Sequence, residues 1–261
     1  METINNKKPP ITGISPERAH FSVLSPKSPI NLVIANSQAL NFDQINITSL
    51  LSAHEISILE RRKLESAKRE YLASRYLIKQ LAQQFFAYEA AELTTFFDEH
   101  TARLVIKYQN NTLPLSLVIS HSKGWVAVYL AHEPERMGID LEFMSQKRPF
   151  LKLAKHFYHQ DEVREIEAAN PMSDTFFRIW TLKEALAKAV AMPIAQLLSP
   201  NVYHGYAKHN LAAYSCQING FDFSMATPIT VKQPPALVEV SLNPDLTGFE
   251  QTAMNRLHHV I

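Results

Sequence analysis

The stretch Trp180-Thr181-Leu182-Lys183-Glu184-Ala185-Leu186-Ala187-Lys188 reads as one helix that sets an acid and a base a turn apart beside a bulky ring. At helical spacing Trp180, Glu184 and Lys188 share a face. Arg178 and Lys183 add positive charge to the same segment, which suits a phosphate-rich ligand as well as it suits plain solvation. An exposed ion pair is the commoner origin of a Glu and a Lys so placed. The helix therefore needs a partner signal before it means chemistry.

That signal lies upstream, in Met137-Gly138-Ile139-Asp140-Leu141-Glu142-Phe143. Apolar and acidic residues alternate with a period of two after a glycine, the pattern of a short strand. Asp140 and Glu142 then point to one face and Ile139, Leu141 and Phe143 to the other, toward a core. Two carboxylates on one face repel each other, and a divalent cation relieves that repulsion. Mg²⁺ in particular takes one or two protein carboxylates together with waters and phosphate oxygens. A solvent-facing acidic strand edge is the plain alternative.

Taken together, these motifs closely resemble the 4′-phosphopantetheinyl transferases of the surfactin-synthetase-activating (Sfp) type. The resemblance rests on Gly138-Ile139-Asp140-Leu141-Glu142 and on Phe177-Arg178-Ile179-Trp180-Thr181-Leu182-Lys183-Glu184-Ala185. Between them, His156-Phe157-Tyr158-His159-Gln160-Asp161-Glu162-Val163 is similar to the family's Phe-[Phe/Tyr]-His-x-x-Glu stretch. Before them, Ile119-Ser120-His121-Ser122 followed by Trp125-Val126-Ala127 is similar to its Ser-His-Ser element. The likeness runs over residues 55 to 195.

The resemblance implies transfer of the phosphopantetheine arm of coenzyme A onto a serine of an apo carrier protein, with release of adenosine 3′,5′-bisphosphate. By the same resemblance Asp140, Glu142 and Glu184 are the expected Mg²⁺ ligands, and Glu184 and Lys188 the expected catalytic base and leaving-group cation. His121 is expected at the coenzyme A 3′-phosphate, and Arg62, Arg69, Arg75, Arg103, Ser120, Lys183 and Lys188 among the other contacts to coenzyme A. A solvated amphipathic helix accounts equally well for Arg62, Arg69 and Arg75.

Implied partners are acyl, peptidyl, polyketide or polyunsaturated-fatty-acid synthase carrier domains. The chemistry is consistent with those roles, because phosphoryl transfer needs positioning and charge neutralisation. A serine hydroxyl further needs a nearby group to take its proton. The competing readings are a non-catalytic relative that binds carrier protein or coenzyme A, and a metal-dependent phosphohydrolase.

The implied fold class is α+β, built from two similar α/β halves about a pseudo-twofold, with the active site in the cleft between them. Residues 1–28, rich in proline, read as a flexible leader. Residues 29–133 are the expected N-terminal half and 134–261 the C-terminal half, joined near His132-Glu133-Pro134-Glu135-Arg136. Strands are expected at 31–35, 103–107, 115–119, 125–131, 211–218, 221–226 and 236–242. Helices are expected at 52–88, 150–157, 160–169 and 173–190.

Departures from the family pattern are equally specific. His100-Thr101-Ala102-Arg103 stands where a Gly-Lys-Pro or Gly-Arg-Pro loop is usual, and Val118 where an asparagine is common. Ala189-Val190-Ala191-Met192-Pro193 carries no glycine, so the helix end is expected to be shaped by Pro193 rather than by a left-handed cap.

Composition bounds the rest. A net charge of +1 over 261 residues argues against a general nucleic-acid binder. A single cysteine, Cys216, excludes an internal disulfide and fits a small buried hydrophobe. The histidines show no zinc-ligand spacing, and no apolar run approaches a membrane span. A monomeric, soluble, cytoplasmic enzyme is the resulting expectation.

Overall fold

The computed structural model describes residues 24, 27, 29–132, 136–147 and 149–261. The expected leader at 1–28 and the middle of the expected linker, 133–135, lie outside those described residues, apart from Leu24 and Lys27.

The strands are β1 (Leu32–Asn36), β2 (Leu93–Asp98), β3 (Arg103–Tyr108), β4 (Asn111–Thr112), β5 (Leu115–Ser122), β6 (Trp125–His132) and β7 (Gly138–Phe143). They continue as β8 (Leu211–Ile218), β9 (Phe221–Pro228), β10 (Leu237–Leu242), β11 (Phe249–Asn255) and β12 (His258–His259). The helices are α1 (Ile47–Leu50), α2 (Ala53–Glu60), α3 (Glu65–Ala82), α4 (Phe150–Phe157), α5 (Gln160–Ala168), α6 (Met172–Val190) and α7 (Val202–His209). This is an α+β fold.

The strands form one sheet in the order β11-β10-β1-β6-β5, a second in the order β12-β8-β9-β7, and a small β2-β3-β4 sheet. Alternation along β1 shows how they stack. Val33 and Ala35 pack with Leu72 and Tyr76 of α3, whereas Leu32 and Ile34 pack with Ile139, Leu141, Phe223 and Met225 of the second sheet. On the far side of that second sheet, Phe177, Ile179 and Leu182 of α6 pack with Ala213 and Ala226. The order of layers is therefore α3, first sheet, second sheet, α6. Strand alternation sorts each face into its own core.

Two expectations are corrected here. The division at 133/134 does not hold for the sheets, because β10 pairs in parallel with β1 (Val33 opposite Val238) and β11 pairs with β10. Leu237, Val238, Val240 and Leu242 are all buried, which demands a place inside a sheet covered on both faces. The helix expected over 52–88 is broken between Glu60 and Glu65. The run Arg61-Arg62-Lys63 falls at the C-terminus of α2, where cations complement the exposed carbonyl ends.

Helix α6 lies directly on β7 because Gly138 has no side chain. A Cβ there would stand 1.9 Å from the carbonyl oxygen of Ala185 and 2.7 Å from the amide nitrogen of Ala189. The end of α6 also differs from expectation: Ala191 adopts the left-handed conformation (φ 52°) and caps the helix without a glycine. The amide of Met192 donates to the carbonyl of Ala187 at 3.0 Å, the bond such a cap provides.

Cys216 is partly buried on β8, and burial pushes its thiol up to about 12. Among the described residues no helix is long and apolar enough to cross a membrane.

Candidate active site

The adjoining edges of β5 and β7 carry the site, roofed by α6. A cavity of about 320 Å³ is lined by Ile119, Ser120, His121, Asp140, Leu141, Glu142, Trp180, Glu184 and Lys188. The strand alternation read from the sequence thus places Asp140 and Glu142 on the α6 side, and helical spacing brings Trp180, Glu184 and Lys188 over them. Trp180 is half-buried, one edge in the α6 core and one at the cavity.

Lys188 reaches across the layer boundary. Its Nζ donates to Oδ1 of Asp140 at 2.8 Å and to the carbonyl of Ile139 at 2.9 Å. The Ser120 hydroxyl donates to the same Oδ1 at 2.8 Å and accepts the amide of Leu141 at 3.1 Å. The Ser122 hydroxyl donates to Oε2 of Glu142 at 3.2 Å and accepts the amide of Phe143 at 3.2 Å. Burial raises the Glu184 carboxyl above its ordinary range; Asp140 and Glu142 raise it further, and the Lys188 charge opposes them. All three carboxylates thus share one electrostatic environment.

Among the described residues no group of three or more His, Cys, Asp or Glu is arranged to hold a metal ion by itself. The donors present are nonetheless hard oxygens, and the cation they suit, Mg²⁺, is held by one or two carboxylates plus phosphate oxygens rather than by a closed protein cage. Lys188, already on Asp140, supplies part of the neutralising charge. The donor chemistry fits such an ion.

The other expected residues divide by location. His121 is 54% exposed and its Nδ1 lies 3.0 Å from Oε2 of Glu70. Glu70 also accepts the amide of Gly124 at 2.7 Å. Arg69 lines a separate cavity of about 580 Å³ with Ser37, Gln38, Glu70 and Lys123, and pairs with Glu65. Arg75 and Arg103 line a third, about 520 Å³, that also reaches Glu184 and Lys188 and is walled by Phe97, Leu104, Met137 and Met192.

Arg103 donates to the carbonyl of Ala189 at 3.0 Å. Arg62 and Arg75 stack on the ring of Tyr71, at 4.6 and 4.2 Å from its centroid. Arg62 is thereby engaged with Tyr71 rather than with the Asp140 cavity.

Lys183 is a correction. It is fully buried, with Nζ 2.9 Å from Oε1 of Glu162 and donating to the carbonyls of Pro200 (2.7 Å) and Leu197 (3.1 Å). One residue from Glu184 is a rotation of about 100° on a helix, enough to turn Lys183 away from the cavity and into the core. Its partner Glu162 is the glutamate of the His159-Gln160-Asp161-Glu162 stretch. Sequence reasoning assigned no role to Ser122 or Glu70. The period-two match between Ser120-His121-Ser122 and Asp140-Leu141-Glu142 was the available signal for Ser122; nothing in the sequence singles out Glu70.

Residues 136–224 match the sequence profile of the 4′-phosphopantetheinyl transferase superfamily. That segment contains Asp140, Glu142, Glu184 and Lys188. It is 29% identical over 169 residues to a putative 4′-phosphopantetheinyl transferase of Synechocystis sp., covering 64% of this chain and 65% of that protein. It is 36% identical over 74 residues to the 4′-phosphopantetheinyl transferase gsp of Aneurinibacillus migulanus, covering 28% and 30%. With the 4′-phosphopantetheinyl transferase AcpT of Escherichia coli it shares 30% over 119 residues, covering 44% and 58%. The matches thus span from under a third to just under two thirds of these relatives' lengths.

Proposed function

We propose that the protein is a Mg²⁺-dependent 4′-phosphopantetheinyl transferase that moves the phosphopantetheine arm of coenzyme A onto a serine of an apo carrier protein. The observation that carries this reading is the convergence of Asp140, Glu142, Glu184 and Lys188 on one cavity, within the segment shared with the superfamily.

Asp140, Glu142 and Glu184 would hold the ion. Bound there with the diphosphate, Mg²⁺ supplies neutralisation of the charge on the phosphoryl oxygens. Lys188 adds a positive charge beside the leaving phosphate, and it is already fixed by two hydrogen bonds, so little reorganisation is needed as charge develops.

Glu184 takes the proton of the carrier serine, since a hydroxyl is a weak nucleophile until a base accepts its hydrogen. Burial has raised its basicity, which suits that task. The serine oxygen then bonds to the phosphorus at the pantetheine end of the diphosphate. The bond from that phosphorus to the bridging oxygen breaks, and adenosine 3′,5′-bisphosphate departs. Arg75 and Arg103, in the cavity that adjoins Glu184 and Lys188, would contact the anionic ligand, and His121 would meet the 3′-phosphate.

Incubation with coenzyme A, Mg²⁺ and an apo carrier protein tests the proposal by mass spectrometry. A carrier heavier by one phosphopantetheine supports transfer. Coenzyme A binding without any carrier modification favours the binding relative instead, and nucleotide release without carrier favours a hydrolase.

A further inference from the structure

Strands β5 and β7 belong to different sheets, yet their edges are joined by a repeated side-chain device. Ser120 bonds to Leu141 and Asp140, and two residues on, Ser122 bonds to Phe143 and Glu142. Both partners advance together, so the two edges run parallel at this seam. A hydroxyl has one proton. With a lone pair on each serine oxygen taken by a backbone N–H, that proton is directed to the neighbouring carboxylate.

Each serine therefore does two things at once. It takes up an amide of β7, and it fixes one oxygen of the acidic residue adjacent in sequence to that amide. The arrangement is the one expected of groups that orient metal-binding carboxylates from behind, because a neutral hydroxyl restrains a carboxylate without cancelling the charge a cation needs. Lys188, by contrast, carries charge and bonds to Asp140. Ser122 restrains Glu142 through a neutral hydrogen bond.

We propose that Ser122, with Ser120 in the equivalent place beside Asp140, is a positioning residue that sets the orientation of the Asp140 and Glu142 carboxylates toward a divalent cation. The inference rests on the metal-dependent reading above. It predicts a division of labour along the Ser-His-Ser element: the two serines face β7 and its carboxylates, and His121 between them faces the opposite way, to Glu70.

Titration of the full-length protein with Mn²⁺ in the presence of coenzyme A, with free Mn²⁺ counted by electron paramagnetic resonance, tests this without reference to turnover. Ser122→Ala is expected to weaken Mn²⁺ binding by about 10-fold or more, the usual effect of removing an orienting partner, and Ser122→Thr to bind as wild type does. The melting temperature without metal separates the roles. A lowered melting temperature with unchanged Mn²⁺ affinity makes Ser122 a seam residue only and overturns the inference.

If Ser122→Ala fails to melt cooperatively, Ser122→Cys takes its place with the same expected loss, because a thiol is a much weaker donor. Failure of the wild-type protein to bind Mn²⁺ at all overturns the metal reading itself. Wild-type binding with full affinity in Ser122→Ala overturns this inference alone.

Discussion

The ammonium of Lys188 lies 2.8 Å from Oδ1 of Asp140, so the C-terminal turn of α6 and the middle of β7 meet through one ion pair at the cavity. Replacing Lys188 by Met removes a charge that faces the cavity and leaves the α6 core untouched. Transfer should fall by on the order of 10²- to 10³-fold, the effect of losing one group that stabilises developing charge, at a temperature where circular dichroism shows the variant still folded. Near-normal turnover in this variant would show that the pair is structural.

Gly138→Ala should be strongly destabilising. The added methyl would meet backbone atoms of Ala185 and Ala189, which cannot turn aside as a side chain can, so α6 must shift away from β7. Overpacking of this kind costs about 1–3 kcal/mol and can cost more. Urea denaturation measures the loss, and transfer should fall with it because Glu184 and Lys188 move together.

Ala191→Gly should stabilise the protein by about 1 kcal/mol, since a left-handed residue with a Cβ is strained and glycine is not. Thermal denaturation reads the change. An unchanged or lower midpoint would mean that Ala191 does not hold φ 52° in solution.

Lys183→Met should unfold the protein readily rather than impair ligand binding. It would leave Glu162 buried and charged with no cation opposite, a loss of about 3–5 kcal/mol. The double variant Lys183→Met/Glu162→Gln should recover a large part of that stability. A stable single variant with a raised KM for coenzyme A would return Lys183 to the phosphate site.

Legibility in the sequence followed the strength of local periodicity. Gly138–Phe143 alternates strictly and Met172–Val190 is long and amphipathic, so the strand, the helix and the side that each turns to the other could be read directly. What was lost depended on tertiary partners. β11 alternates weakly and lies exposed at a sheet edge, and α7 is short and contains Gly205, so neither has a pattern of its own.

The return of β10 to pair with β1 is a long-range contact that no local window contains. Lys183 and Glu184 illustrate the same limit within the site. Both are charged and adjacent, and only the packing of α6 decides that one enters the core and the other the cavity. Ala191 was misjudged because glycine is the usual left-handed cap, whereas here the packing of α6 imposes that geometry on alanine.

If Glu184, Asp140, Glu142 and Lys188 form one transferase centre, intact-mass spectrometry of an apo acyl carrier protein incubated with coenzyme A, Mg²⁺ and either the wild-type protein or Glu184→Gln will show it. The expected result is a carrier heavier by one phosphopantetheine with wild type, and an unmodified carrier both with Glu184→Gln and with wild type after chelation of the metal. Equal modification by Glu184→Gln would rule out that centre.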